Sequence, residues 1–181
     1  MRDYLTAMSD FDYQHTVSHA LDGDLTALNA CVECCDRHAL PGRIALFWEG
    51  RDASSAAYTF TQLQDHAARL ANFLLAQGVK RGDKVAGLLP RNVELLVVVL
   101  AAWRIGAIYQ PLFTAFGPKA IEHRLNSSGA ALAVTDAANR AKLNDVNQCP
   151  TIVTVSGAKG QGVVRGDFSF WAEVENHSAQ C

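Results

Sequence analysis

No apolar stretch in this chain is long enough to cross a bilayer: the longest unbroken run, residues 95–103, falls far short of the roughly 20 residues a spanning helix needs. Positive charge is not in excess either. The 16 Lys and Arg stand against 18 Asp and Glu, for a formal net charge of −2, and they are dispersed, so no nucleic-acid footprint is expected. The opening segment "MRDYLTAMSDFDYQHTVSHALDGD" carries acids where a secretory signal would have an apolar core, which argues against export and makes the cytoplasm the default. Cysteine is sparse. Five residues, an odd number spread through a chain of 181, form no disulfide framework and suit a reducing compartment. Cys31, Cys34 and Cys35 gather in "CVECC", but a zinc site needs a second spaced pair of ligands, and His38 is the only imidazole near them in sequence. Structural cysteines on a helix face are the expectation. No internal repeat or low-complexity tract is present.

What the chain does have is 49% apolar side chains against 19% charged, enough for one domain with a substantial core. The organising stretch is residues 84–136, "KVAGLLPRNVELLVVVLAAWRIGAIYQPLFTAFGPKAIEHRLNSSGAALAVTD". Three short apolar runs, 85–89, 107–112 and 130–134, are separated by two segments of helical length, which predicts strand, helix, strand, helix, strand in a parallel unit. Local signals agree in order. Asn92 is placed to cap the first helix and Gly106 to follow it, while Gly117 and Pro118 open the second and Gly129 ends it. Residues 95–102 are apolar all round, so that helix is expected to lie under other elements, with Leu96 and Val99 buried. Trp48 and Trp103 are further core candidates.

Either side of this unit the readings are plainer. Residues 1–24 show no sustained period and are expected to form an extended arm with about one helical turn, leaving residues 25–181 as the α/β body. Leu28, Cys31, Val32, Cys35 and Ala39 fall at helical spacing and predict an amphipathic helix over 25–40, broken by "LPGR". Residues 44–50 and 57–60 read as a hairpin around "RDASSA". Thr61 and Gln64 form a capping-box pattern for a helix running to about Ala76, with Gly78 placed to end it. After the central unit, Asp136 can cap a short helix through Leu143, residues 151–155 read as one more strand, 156–167 as a surface loop, and "FSFWAEVENH" as a short helix. The fold class predicted is α/β, a doubly wound, mostly parallel sheet with flanking helices.

Such sheets bind ligands beyond the carboxyl ends of their strands, which points to the loops "LLPRN", "PLFTAFGP", "VTDAANR" and "TVSGAKG". "SGAKGQG", with Lys159, fits neither G-x-x-x-x-G-K-[ST] nor G-x-G-x-x-G and reads as a flexible loop. "FTAFGP" sets small residues between a strand end and a helix start, a favourable place for an anion. His66 and His123 lie in predicted helices with no paired Asp, Ser or Cys, and read as partly exposed. Asp83 suits a turn. No nucleophile, general base or metal site stands out.

The stretch "GDKVAGLLPRNVELLVVVLAAWRIGAIYQPLFTAFGPKAIEHRLNSSGAALAVTD", extended upstream through "YTFTQLQDHAARLANFLLAQGVKR", resembles the N-terminal part of the acyl-adenylate-forming enzymes. The nearest likeness is to the AMP-forming acyl-CoA synthetases of the acetyl-CoA and propionyl-CoA synthetase kind, over about residues 26–155. The resemblance implies an incomplete N-terminal subdomain of the acyl-adenylate-forming fold. It also implies chemistry in which ATP and a carboxylic acid form an acyl adenylate with Mg²⁺, and CoA then displaces AMP. The matching segment of the acetyl-CoA synthetases is Phe-Gly-Gly-Phe-Ser-Pro and lies along the CoA nucleotide, so Thr114 and Ala115 would approach CoA, with both family glycines replaced here. Arg140 falls where the family places an arginine on the CoA phosphate, a task that suits its guanidinium. From the residues alone, a solvated helix residue is the other reading.

The family's phosphate loop, its acidic ATP-binding motifs and its catalytic lysine belong downstream of the region seen here. The expectation is therefore part of an acyl-CoA synthetase, inactive by itself, with an open sheet edge that makes a homodimer plausible. Two other readings stay open at this stage: a free-standing, non-catalytic α/β interaction or regulatory module, and an unrelated nucleotide-binding domain.

Overall fold

The computed structural model describes residues 3–156 and 163–180, so the reading of 157–162 as a flexible loop falls outside the described residues. The chain enters through helices α1 (Tyr4–Ser9) and α2 (Tyr13–Ala20), neither of which buries a residue. This corrects the extended arm. Asp12 caps α2 by accepting from the His15 N–H at 2.9 Å, a local device that needs no tertiary partner. Helix α3 (Ala30–Cys34) is also shorter than its apolar spacing predicts, and a 3₁₀ turn, Asp36–His38, takes over after it. Asn29 sets the start by accepting from the N–H groups of Cys31 and Val32, while Asp24 has already folded Thr26 into a separate turn.

Strands β1 (Ile44–Glu49) and β2 (Ser55–Thr59) form the expected antiparallel hairpin. Helix α4 (Phe60–Ala76) follows at once, with its capping box at Thr59 and Gln62, two residues earlier than Thr61 and Gln64. The sequence contains two overlapping T-x-x-Q patterns. The end of β2, fixed by pairing with β1, selects the first.

From here the parallel unit unfolds in order: β3 (Lys84–Leu88), α5 (Val93–Arg104), β4 (Ile108–Pro111), α6 (Pro118–Ser128), β5 (Ala130–Asp136) and β6 (Thr151–Val155). A two-residue strand β7 (Phe168–Ser169) and helix α7 (Phe170–Asn176) close it. All five strands pair in parallel in the order β4-β3-β5-β6-β7. The caps act where expected. Asn92 accepts from the Leu95 N–H at 3.1 Å, and Gly106 and Gly129 take left-handed φ values of 71° and 61° after their helices.

The sheet is covered on both faces, which is why its strands read as unbroken apolar runs. Val85, Leu132, Val134 and Val153 turn to one face and pack with α3, α4, α5 and α7 around Leu70, Phe73, Leu74 and Val97. Ala86, Leu88, Ala133 and Ile152 turn to the other, beneath Ile121 and Leu125 of α6. Helix α5 is not surrounded: Val97, Val98, Ala101 and Ala102 are buried, but Leu96 and Val99 are half-buried and Trp103 is 37% exposed. Its all-round hydrophobicity therefore overstates its burial. Trp48 is half-buried too, its indole N–H donating to the Arg91 carbonyl at 2.8 Å.

Candidate functional site

The strand order locates the site. The chain leaves β3 for β4 on one side and then returns to place β5 on the other, so α5 and α6 lie on opposite faces. The exits of the neighbouring strands β3 and β5 diverge at their carboxyl ends. A crevice opens where successive connections part in this way. A separate hollow of about 520 Å³, bordered by Asn29, Arg81, Trp103 and Gly106, sits at the amino ends of β3 and β4. The topology of a parallel sheet favours the carboxyl end, where the polar side chains converge.

Three loops meet there. Residue Thr135 of β5 is fully buried and donates its hydroxyl to the Leu88 carbonyl at 3.2 Å, tying the ends of β3 and β5. Asp136 then accepts at one oxygen from both the backbone N–H and the side-chain amide of Asn139, each at 2.8 Å. This Asx turn leads into a 3₁₀ turn, Arg140–Leu143, shorter than the predicted helix and anchored by buried Leu143. Lys142 reaches back from it to the β4–α6 loop, donating to the Thr114 carbonyl and to Asn139 Oδ1 at 2.9 Å. Thr114 is thus held by Lys142 from the same 3₁₀ turn that carries Arg140. Ala115 is exposed beside Thr114.

Arg140 is no solvated helix residue. Its Nε donates to Asp167 Oδ2 at 2.5 Å, its Nη2 to Asp167 Oδ1 at 2.9 Å and its Nη1 to Asn144 Oδ1 at 2.8 Å. The two side chains are only 11% and 5% exposed. Asp167 also accepts from the Thr154 hydroxyl at 2.7 Å. Burial on its own would push the Asp167 carboxyl up, but the hydrogen bonds from Arg140 and Thr154 and the Arg140 charge outweigh it and hold it below the usual aspartate range. Asp167, Thr154, Asn139 and Lys142 were not singled out by sequence reasoning. Lys142 stands two positions past Arg140 and carries no motif, and Asp167 is 27 residues away from its partner.

Ahead of this cluster, the "FTAFGP" loop presents an aromatic edge. Phe113 is 72% exposed and stacks edge-on against Phe116 at 5.3 Å, and the Arg124 guanidinium lies 4.1 Å over the Phe116 ring. Chemically, these elements offer directed N–H donors, an ammonium and aromatic faces.

Reactive groups lie elsewhere and are quiet. Burial pushes the Cys31 thiol up to about 12 and the Cys35 thiol to about 11, so both stay protonated and pack as core, as expected of structural cysteines. Cys34 is exposed. Among the described residues, no three His, Cys, Asp or Glu converge as a metal site would require. Asp83 holds its turn by accepting from the Lys80 N–H at 2.7 Å. His123 is exposed, and His66 is half-buried against Trp171. No helix among the described residues is long and apolar enough to cross a membrane.

Residues 35–179 match the family described as AMP-binding enzyme. The acetyl-coenzyme A synthetase of Marinomonas sp. (strain MWYL1) is 37% identical over 181 aligned positions, covering 88% of this chain and 27% of that protein. That of Sodalis glossinidius (strain morsitans) is 43% identical over 111 residues, 60% of this chain and 17% of the relative. The crystal structure of an acyl-CoA synthetase from Brucella canis matches 100% of this chain with a TM-score of 0.93 and 47% identity, and the match covers 33% of that chain. This chain thus spans between 17% and 27% of the length of these two curated relatives and a third of the solved one. A match from residue 35 to residue 179, on an α/β sheet shared over the whole chain with a synthetase, establishes that the chain belongs to the AMP-binding enzyme family.

Proposed function

We propose that this chain is the N-terminal portion of an AMP-forming acyl-CoA synthetase, a cytoplasmic enzyme that joins a carboxylic acid to CoA through an acyl adenylate, consuming ATP and releasing AMP and pyrophosphate. The observation that carries this is the 47% identity and 0.93 TM-score against the Brucella canis acyl-CoA synthetase over the full length of the chain. Within that enzyme the portion serves as scaffold. Its strand ends present Thr114, Ala115 and Arg140 along the CoA nucleotide, Arg140 with its outer N–H groups and the loop with its backbone. ATP and Mg²⁺ bind to residues outside this chain.

The test is acyl-CoA formation from ATP, CoA and short carboxylic acids. The complete polypeptide that carries this chain should support it, and residues 1–181 alone should not. Thioester formation by the 181-residue chain by itself would overturn the division of labour. In isolation the unpaired outer edge of β4, exposed at Ile108 and Pro111, favours a homodimer, although Pro111 lacks an N–H and blunts that edge. Sedimentation of the chain across a concentration series checks this.

A further inference from the structure

The hollow at the amino ends of β3 and β4 lies at the other end of the sheet from the strand-end cluster, and its volume of about 520 Å³ falls in the range of small-molecule sites. Three walls form it: residues 26–30, where the chain enters α3; Arg81, in the turn between α4 and β3; and residues 103–107, where α5 ends. The walls are bonded to one another. Asn29 donates its side-chain amide to the Arg104 carbonyl at 2.9 Å while its oxygen caps α3, and Gly82 donates its N–H to the Gly106 carbonyl at 2.9 Å. Asp24 fixes Thr26 through both its N–H and its hydroxyl, each at 2.8 Å. A ligand therefore meets a shape already formed.

These walls present one cation beside an apolar surface. Trp103 is 37% exposed and Leu28 is 41% exposed. The other two indoles donate to Arg91 and Glu94, whereas that of Trp103 has no acceptor among the described residues. Two guanidinium groups border the hollow, and no acidic residue does. The charge of Arg104 is cancelled by Asp36 at 2.6 Å, but Arg81 has no carboxylate partner among the described residues. The stem of Arg81 lies across Gly106, where a Cβ would come within 3.0 Å of Arg81 Cγ. Gly106 thus serves twice, ending α5 with its left-handed φ of 71° and leaving a seat for that stem. A helix C-terminus ordinarily repels an anion, but here its last carbonyls are turned to donors. That of Ala102 accepts from the Ala107 N–H at 2.8 Å, that of Trp103 from the Gly106 N–H at 3.1 Å, and that of Arg104 from Asn29.

We infer that this hollow binds a small aromatic carboxylate, its ring laid against Trp103 and Leu28 and its carboxylate taken by the Arg81 guanidinium. One planar fork matches the two oxygens of one carboxylate. A phosphate dianion would call for more donors, and Thr26 and Asn29, the other polar side chains of the lining, already donate within the protein. The site is separate from the strand-end cluster and does not depend on the synthetase reading.

The experiment uses the complete polypeptide that carries this chain, with naphthalene-2-carboxylate as the probe, calorimetry for affinity and the Trp103 indole N–H resonance for location. A ligand of this size in an open hollow should bind with a Kd on the order of 1 mM. Arg81→Gln, a change at an exposed side chain, should raise that Kd about tenfold, and so should replacing the probe by its uncharged amide. Arg81→Lys, which keeps the charge without the fork, should fall between. Trp103→Leu should raise the Kd about threefold or more and, by its missing signal, assign the indole resonance that the probe shifts. Added salt should weaken binding to the wild type more than to Arg81→Gln. A Kd in Arg81→Gln within about twofold of the wild type overturns the inference, because such binding belongs to an acid site elsewhere in the polypeptide. No binding to the wild type at about 10 mM probe, or an unmoved Trp103 resonance, overturns it as well. If Trp103→Leu does not fold, Arg81→Gln and the amide decide it alone.

Discussion

Arg140 and Asp167 meet in a two-pronged ion pair, at 2.5 and 2.9 Å, that fastens the turn after β5 to the segment entering β7. Removing the acid leaves a nearly buried guanidinium half-paired and the Thr154 hydroxyl without its acceptor. Asp167→Ala should therefore cost on the order of 3 kcal/mol in urea unfolding. The pH dependence has a definite sign. The folded carboxyl titrates below its ordinary value, so its contribution is complete above that value and is lost as pH falls through the lower folded one. In the neutral range it is flat. Stability curves of the wild type and Asp167→Asn should run parallel from pH 5 to 8, about, and converge in strong acid.

Gly87 is a glycine for want of room. Its φ is not left-handed, but a Cβ there would lie 2.7 Å from Tyr109 Cε2 and closer still to the phenol oxygen. Tyr109, half-buried on the edge strand β4, is packed over the backbone of β3, and burial pushes its phenol up to about 12. Gly87→Ala should destabilise by about 1–3 kcal/mol through overpacking, against the small gain a strand usually takes from that change. Gly87→Ala combined with Tyr109→Ala should cost less than the two single costs added, and a double-mutant cycle in urea shows it.

Helix α5 separates two grades of burial that its sequence does not. Val97 is fully buried in the main core, whereas Leu96 and Val99 belong to neither core cluster. Val97→Asp strands a charge among apolar atoms and should unfold the domain, a loss of more than about 4 kcal/mol. Leu96→Asp and Val99→Asp should leave it folded, with losses of about 2 kcal/mol or less and far-ultraviolet circular dichroism unchanged at 25 °C, roughly the reference temperature for such values.

The central unit is legible in the sequence because its signals are local. Asn92, Gly106 and Gly129 cap and end helices through bonds within a few residues, and a sheet covered on both faces writes itself as short apolar runs. Legibility fails where a distant pairing decides. The choice between Thr59 and Thr61 as cap depends on where β1 stops pairing with β2, and the length of α3 on an asparagine competing with apolar spacing. At the site, family likeness pointed to Thr114, Ala115 and Arg140; the Thr114 carbonyl accepts from Lys142, and Arg140 is held by Asp167. Asp167 was invisible because an ion pair across 27 residues leaves no periodic trace, and Lys142 because one lysine looks like any other until its neighbours are known.

His66 supplies a second acid-sensitive element. It sits on α4 edge-on to Trp171 at 5.2 Å, with Nδ1 buried and lacking a hydrogen bond. Burial is the main cause that lowers its pKa; nearby Arg69 pushes the same way, and Asp65 opposes them without winning. A histidine whose folded pKa is depressed is protonated first in the unfolded chain, so the domain is at full strength above the ordinary histidine pKa of about 6.5 and weakens as pH falls below it. The His66→Gln variant should therefore lose less melting temperature than the wild type between pH 7.5 and 5.5, about the window set by that pKa. An NMR titration should find the His66 ring titrating below the ordinary histidine value of about 6.5, and a value above it would remove the burial argument.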